Sequence, residues 1–309
     1  MLLQAKLITL LDKVLNQSAR MRKGTEAIYQ CPFCNHYKKK LEVNTVTQEW
    51  HCWVCNAAGK SIRSLFRKLK VNRAYYAELY KIVGSPSYQK QQETDYKQQE
   101  LSLPEGFVSL SHPVKSLEYG NAISYLRSRG VTRDDILRYN IGYSGYGEFK
   151  QRIIVPSYDK DGNLNFFSSR VYYDGGDAIK YKNPPWSKDI IGFEMFINWD
   201  EPITLVEGAF DAFAIRRNVI PLFGTLMSNK LKEAIVENGV GQVNIVLDND
   251  AMKKALDISD FLEKQEVESR IIKLEDKDPS VLGYERITEI INNSKPMDFS
   301  GMILLKMNS

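Results

Sequence analysis

Two acidic clusters each follow an apolar run. Glu207-Gly208-Ala209-Phe210-Asp211 comes directly after the run at 203–206, and Asp248-Asn249-Asp250 directly after that at 243–247. In a parallel α/β sheet, ligands collect beyond the carboxyl ends of the strands. Both clusters would lie on that rim. Carboxylates gathered there with no His among them suit divalent-metal and phosphate chemistry better than proton shuttling. The competing reading of a lone Glu207 or Asp248 is a cap on the following helix.

All four cysteines fall between positions 31 and 55, as Cys31-x2-Cys34, seventeen intervening residues, then Cys52-x2-Cys55. This is the spacing of a four-thiolate zinc ribbon, each pair forming a knuckle that offers two sulfurs to one ion. The chain between the knuckles reads as a hairpin with Leu41, Val43 and Thr45 on one face. His36 and His51 flank the knuckles, either as substitutes for a thiolate or as bystanders. Tyr29, Phe33, Tyr37, Trp50 and Trp53 are interleaved with Lys38, Lys39 and Lys40. Such aromatics either stack on single-stranded bases or pack around the metal. Gly59-Lys60-Ser61 imitates the end of a phosphate-binding loop, but Val54 stands where that loop needs its first glycine, which argues against a motor ATPase. Gly59 is read instead as a turn into a helix near 62–69.

These sites need elements to hold them. The 309 residues allow two or three domains. The net charge of +4 divides unevenly, +10 in residues 1–84 against −6 in the rest. A basic front and an acidic back suggest a nucleic-acid grip ahead of a metal-binding body. No apolar run has membrane-spanning length, and Lys6, Asp12 and Lys13 interrupt the N-terminal apolar stretch, so the expectation is a cytoplasmic protein without a signal peptide or membrane contact, where disulfides are rare. The polar, Gln-rich stretch 85–103 reads as a flexible tether. Two helices are expected over 115–139, with Gly130 ending the first and Thr132-Arg133-Asp134-Asp135 as a capping box for the second. Strands follow at 151–156 and 165–172 around the turn Asp159-Lys160-Asp161-Gly162. From 203 the pattern alternates: strands at 203–207, 219–223, 243–247 and 269–274, helices near 210–217, 228–238 and 251–265, hence a parallel sheet. Residues 291–309 show no clear period.

Taken together, these residues resemble the DNA primases of bacteria and their phages, over most of the chain from the ribbon to about 290. Val206 to Asp211 is similar to the glutamate motif of the TOPRIM fold, Leu247-Asp248-Asn249-Asp250 to its Asp-x-Asp motif, Lys277-Asp278-Pro279 to its downstream acidic motif, and Phe223-Gly224-Thr225 to the loop after its second strand. Tyr125 to Val131 and Ile141-Gly142-Tyr143-Ser144 resemble the family's opening helices. Arg152 to Pro156, Asp161-Gly162 and Ser169-Arg170-Val171 resemble its basic strands, and Lys180-Tyr181-Lys182-Asn183-Pro184-Pro185 its Lys-Tyr-x-Asn turn. TOPRIM alone is shared with topoisomerases and some nucleases. Ribbon, basic core and TOPRIM in this order are far more specific. Ser280 replaces an aspartate that the family often carries after Asp-Pro.

The resemblance implies a multidomain α+β chain: an N-terminal zinc ribbon with flanking helices (1–84), a flexible linker (85–103), a mixed α+β basic subdomain (104–200) leading into a TOPRIM-type α/β parallel sheet (201–290), and a tail (291–309). It implies a DNA-directed RNA polymerase that makes short RNA primers on single-stranded DNA from ribonucleoside triphosphates by two-metal nucleotidyl transfer. Structural zinc would sit on Cys31, Cys34, Cys52 and Cys55. Catalytic Mg²⁺ or Mn²⁺ would sit on Asp248, Asp250 and Asp278, supported by Asp211, with Glu207 as a further ligand or as base for the attacking hydroxyl. Arg152, Arg170, Lys180, Lys182, Asn183 and Lys188 would contact template and triphosphate. With little chain beyond 290, a phage-type enzyme served by a separate replicative helicase is expected, acting in the host cytoplasm if phage-encoded. The rival readings are a TOPRIM nuclease or topoisomerase-like cleavage enzyme, and a non-catalytic zinc-ribbon recombination mediator.

Overall fold

The computed structural model describes residues 2–34, 36–84, 101–173, 179–224, 226–248, 251–274 and 282–294. Two compact units form, Met1–Gln89 with Glu233–Gly241 and Lys90–Lys232 with Gln242–Ser309.

In the first unit, helix α1 (Leu2–Leu15) places Leu7, Leu10, Leu11 and Leu15 at three- and four-residue spacing, and all four are buried. Five short antiparallel strands follow, hydrogen-bonded in sequence order: β1 (Arg20–Arg22), β2 (Glu26–Tyr29), β3 (Leu41–Asn44), β4 (Trp50–Cys52) and β5 (Ala58–Gly59). The expected alternation holds, since Leu41, Val43 and Thr45 are buried. Gly59, expected as a turn, instead pairs with Trp50 as the last strand. A Cβ there would collide with the Trp50 indole and the Ser64 hydroxyl, so only glycine lets the indole lie against the strand. The indole Nε1 donates to the Ser64 hydroxyl at 2.9 Å and the Ser61 carbonyl at 3.0 Å. Ser61 caps helix α2 (Ile62–Lys68), accepting from the Ser64 amide, and α3 (Arg73–Val83) follows.

The second unit begins with an antiparallel sheet of β6 (Phe107–Ser109), β7 (Gly142–Ser144), β8 (Arg152–Tyr158) and β9 (Leu164–Val171), paired in that order. Helices α4 (Leu117–Ser128) and α5 (Arg133–Arg138) lie in sequence between β6 and β7. The Thr132–Asp135 capping box is formed in both directions, and Gly130 takes a left-handed φ of +72° just past the end of α4. The segment 141–144, likened to a helix, is corrected: Gly142–Ser144 is a strand, paired with β6 and β8. Gly142 packs so close under the Phe107 ring that a Cβ would overlap it, and three residues are too few to show a period.

A parallel sheet completes this unit. Strands β10 (Ile203–Val206), β11 (Val219–Pro221), β12 (Gln242–Val246) and β13 (Glu268–Ile271) run in the order β11-β10-β12-β13. Helices α6 (Ala209–Ile215), α7 (Asn229–Glu237) and α8 (Met252–Lys264) connect them, and α9 (Tyr284–Asn293) follows. The sequence reading found no α9, although Ile287 and Ile291, one turn apart, are its buried residues. Leu110, Ile153, Phe193, Phe213 and Ile287 belong to one continuous apolar cluster, so both sheets of this unit share a core.

Candidate metal centre and acidic rim

The four cysteine sulfurs all lie within 4.8 Å of one another. Cys31 Sγ is 3.8 Å from Cys55 Sγ, and Cys34 Sγ is 3.9 Å from Cys52 Sγ. Tetrahedral zinc with sulfurs at about 2.3 Å sets them about 3.8 Å apart, so the residues fit that ion. Burial pushes the Cys31 thiol up to about 12. At Cys52 burial also pushes upward, but the backbone N–H groups of Cys55 and Val54 outweigh it and bring the thiol down to about 7. Neither histidine joins the tetrad. His36 Nδ1 accepts from the Lys38 amide at 3.2 Å, and the His51 ring lies edge-on to Trp53. Trp53 is 63% exposed and Tyr37 78% exposed, so neither is core around the metal.

In the second unit, register places the acidic motifs. Val206 pairs with Val246 on one side and Pro221 on the other. Glu207 and Asp248 therefore extend from the carboxyl ends of adjacent parallel strands, Glu207 half-buried and Asp248 exposed. Asp250 and Asp278 lie outside the described residues. Among the described residues the cysteine tetrad is the one group of three or more His, Cys, Asp or Glu gathered closely enough to share an ion. Asp211 caps its own helix, its Oδ2 accepting from the Gly208 amide at 3.2 Å.

The basic residues divide into three groups. Lys188 reaches the rim: its Nζ donates to the Phe223 carbonyl at 2.6 Å, and the next amide, Gly224, donates to the Glu207 carbonyl at 3.3 Å. Phe223 holds a left-handed φ of +48° there, the kind of strain that gathers at functional loops. Arg170 is buried with its guanidinium 4.9 Å from the Tyr181 ring centroid and 5.0 Å from that of Phe210, and it donates to the Tyr181 hydroxyl. Burial raises the Tyr181 phenol above its ordinary range, with Arg170 opposing and Asp211 reinforcing the shift. Arg170 thus joins the Lys-Tyr-x-Asn turn to the helix that carries Asp211.

The others serve the turn itself. Arg152 is buried, which lowers its pKa, and donates to the Ile179 carbonyl at 2.7 Å. Lys182 pairs with Glu148 at 3.0 Å, Asn183 Oδ1 accepts from the Ser169 amide at 3.4 Å, and Lys180 is exposed beside the Tyr181 ring. Arg129, part of the Tyr125–Val131 motif but given no site role from sequence, has its guanidinium 5.9 Å from the Phe210 centroid. Its signal was a basic residue immediately before the glycine that ends α4.

No family model matches the sequence. An uncharacterised protein of Mycoplasma genitalium, MG010, is 31% identical over 51% of this chain and 76% of its own length. The DNA primase of Thermotoga maritima is 24% identical over 74% of this chain and 48% of its own length. The zinc-binding and RNA polymerase domains of Aquifex aeolicus primase match 96% of this chain and 86% of that one, with a TM-score of 0.52 at 18% identity, a likeness of fold. The chain belongs to the bacterial-type DNA primase family. It spans about half the length of the curated DNA primases it matches. Ribbon, antiparallel sheet and parallel sheet follow one another in this primase fold, and the rival readings as cleavage enzyme or mediator gain nothing from it.

Proposed function

We propose that the chain makes short RNA primers on single-stranded DNA, joining ribonucleoside triphosphates by attack of a 3′-hydroxyl on an α-phosphate. The observation that carries this reading is the placement of Glu207 and Asp248 on neighbouring parallel strand ends, with Lys188 anchored on the loop beside them. Glu207 and Asp248, with Asp250 and Asp278, would hold Mg²⁺ or Mn²⁺, whose chemistry is activation of the hydroxyl and neutralisation of the leaving pyrophosphate. Carboxylate oxygens are the hard donors such ions require.

Lys188, held on the Phe223 carbonyl, offers a point charge to a triphosphate at the rim. Arg170, fixed between two aromatic faces, holds the Lys-Tyr-x-Asn turn in place, so that Lys180 and Lys182 can meet the template backbone. Glu207 serves as ligand or as base for the hydroxyl. The zinc ribbon of residues 1–84, joined through 85–103, reads the template with Tyr37 and Trp53. Residues 104–200 carry the basic grip, 201–290 the catalytic acids, and 291–309 a tail. A replicative helicase on a separate chain is the partner we propose, since synthesis consumes newly exposed single strand, and the cytoplasm is the compartment.

The test uses the purified chain with single-stranded DNA, four ribonucleoside triphosphates and Mg²⁺. Short, template-dependent RNA is the expected product. DNA degradation without ribonucleotides, or DNA binding with no RNA under any divalent ion, would refute the reading.

A further inference from the structure

A cavity of about 370 Å³ opens beside the Arg170 stack, lined by Asn121, Ser124, Tyr125 and Ser128 of α4 and by Tyr172 and Tyr173 at the end of β9. The four helical residues stand three, four and seven positions apart, so they share one face. Three of the six walls are aromatic and none is charged. Tyr172 is only 8% exposed and still lines the cavity. Among the described residues, the Asn121 amide, the Ser124 hydroxyl and the three phenols have no hydrogen-bond partner; Ser128 alone is engaged, with the Tyr125 carbonyl at 2.7 Å. Ring faces with neutral donors and acceptors suit a flat, uncharged, amide-edged ligand, which a nucleobase is; a phosphate would need cations. The volume is that of a small-molecule site.

The position supplies the second argument. Tyr125 walls the cavity and also meets the Phe210 ring at 6.3 Å and the Arg170 guanidinium at 5.9 Å. One aromatic side chain thus borders both the cavity and Arg170, the cation that lies against Phe210 of the acidic motif. We propose that the cavity holds one unpaired base of the single-stranded DNA template, stacked on Tyr173 and hydrogen-bonded by Asn121 and Ser124, while the backbone of that nucleotide runs toward Arg170. This rests on the reading of the chain as a template-copying enzyme.

The test is fluorescence anisotropy of the full chain on a thymidine homopolymer and on a strand of equal length built of abasic sites. Tyr173→Ala should weaken binding to the first roughly tenfold, the size of one lost base–aromatic stack, and leave the second unchanged. Ser124→Trp, which fills the cavity from an exposed helical position, should do the same and guards against misfolding of the first variant. Equal losses on both strands, or no loss on either, overturn the proposal. RNA synthesis is measured on the same preparations. Synthesis with no base-dependent loss removes the base site alone; base-dependent loss without any synthesis removes the primer-making reading alone.

Discussion

The ribbon and the acidic rim both carry side chains of metal-binding type, but they are opposite kinds of site. In the ribbon two knuckles bring four sulfurs to mutual distances already right for one ion. The site is closed, as structural zinc sites are. On the rim, Glu207 and Asp248 come from different strands, Asp248 faces solvent, and the nearby Lys188 is held by a backbone carbonyl. Such an arrangement is open to solvent, as the metal site we propose there would require. On the proposed reading, closed geometry serves folding and open geometry serves turnover.

The sharpest way to break this contrast is Asp248→Ala. RNA synthesis should fall below detection, while zinc content and single-strand binding stay near wild type, measured by primer assay, metal analysis and anisotropy. Retained synthesis would take Asp248 out of the site. Next comes Cys52→Ser or zinc chelation. The ribbon should lose its structure, because binding energy at a structural site is folding energy, and template-dependent initiation should drop at least tenfold. Circular dichroism and initiation assays follow it, and an unchanged ribbon would show that the tetrad does not need metal.

Lys188→Ala should lower synthesis by roughly 100-fold, the loss expected when one preorganised charge on a transition state is removed, with zinc unaffected. Arg170→Lys keeps the charge but loses the planar stack on Tyr181 and Phe210. A cation–π contact of about 1–2 kcal/mol predicts a fall of about tenfold in synthesis. The smallest effect belongs to Glu148→Gln. It removes the partner of Lys182, and both groups are more than a third exposed, so single-strand affinity should rise no more than about threefold. A larger gain would mean that the pair holds Lys182 away from the template.

What the sequence disclosed follows the same division. The tetrad was fully legible, because spacing within a knuckle is local and the thiolate chemistry admits few readings. The parallel sheet was legible from alternating apolar runs, with each strand found within three residues of its observed bounds. The capping box at Thr132 was legible for a similar reason, being written within four residues. Strands β6 and β7 were not, since three-residue strands carry little period and these are held by partners distant in sequence, β6 on β7 and β7 on β6 and β8. The role of Arg170 was half visible. A buried guanidinium between Tyr181 and Phe210 is a meeting of residues eleven and forty positions away, which no local pattern encodes. Arg152 likewise looked like a surface grip until its bonds to the turn at 179–180 were seen.

One detail of the ribbon has an optical consequence. Trp50 shares β4 with Cys52, is 2% exposed, and ties its indole to the cap of α2. Trp53 and Trp186 face water to a much greater degree. Loss of the ion would loosen β4, wet the Trp50 ring and shift its emission to the red, so the protein carries its own fluorescent gauge of metal occupancy, readable without any attached dye.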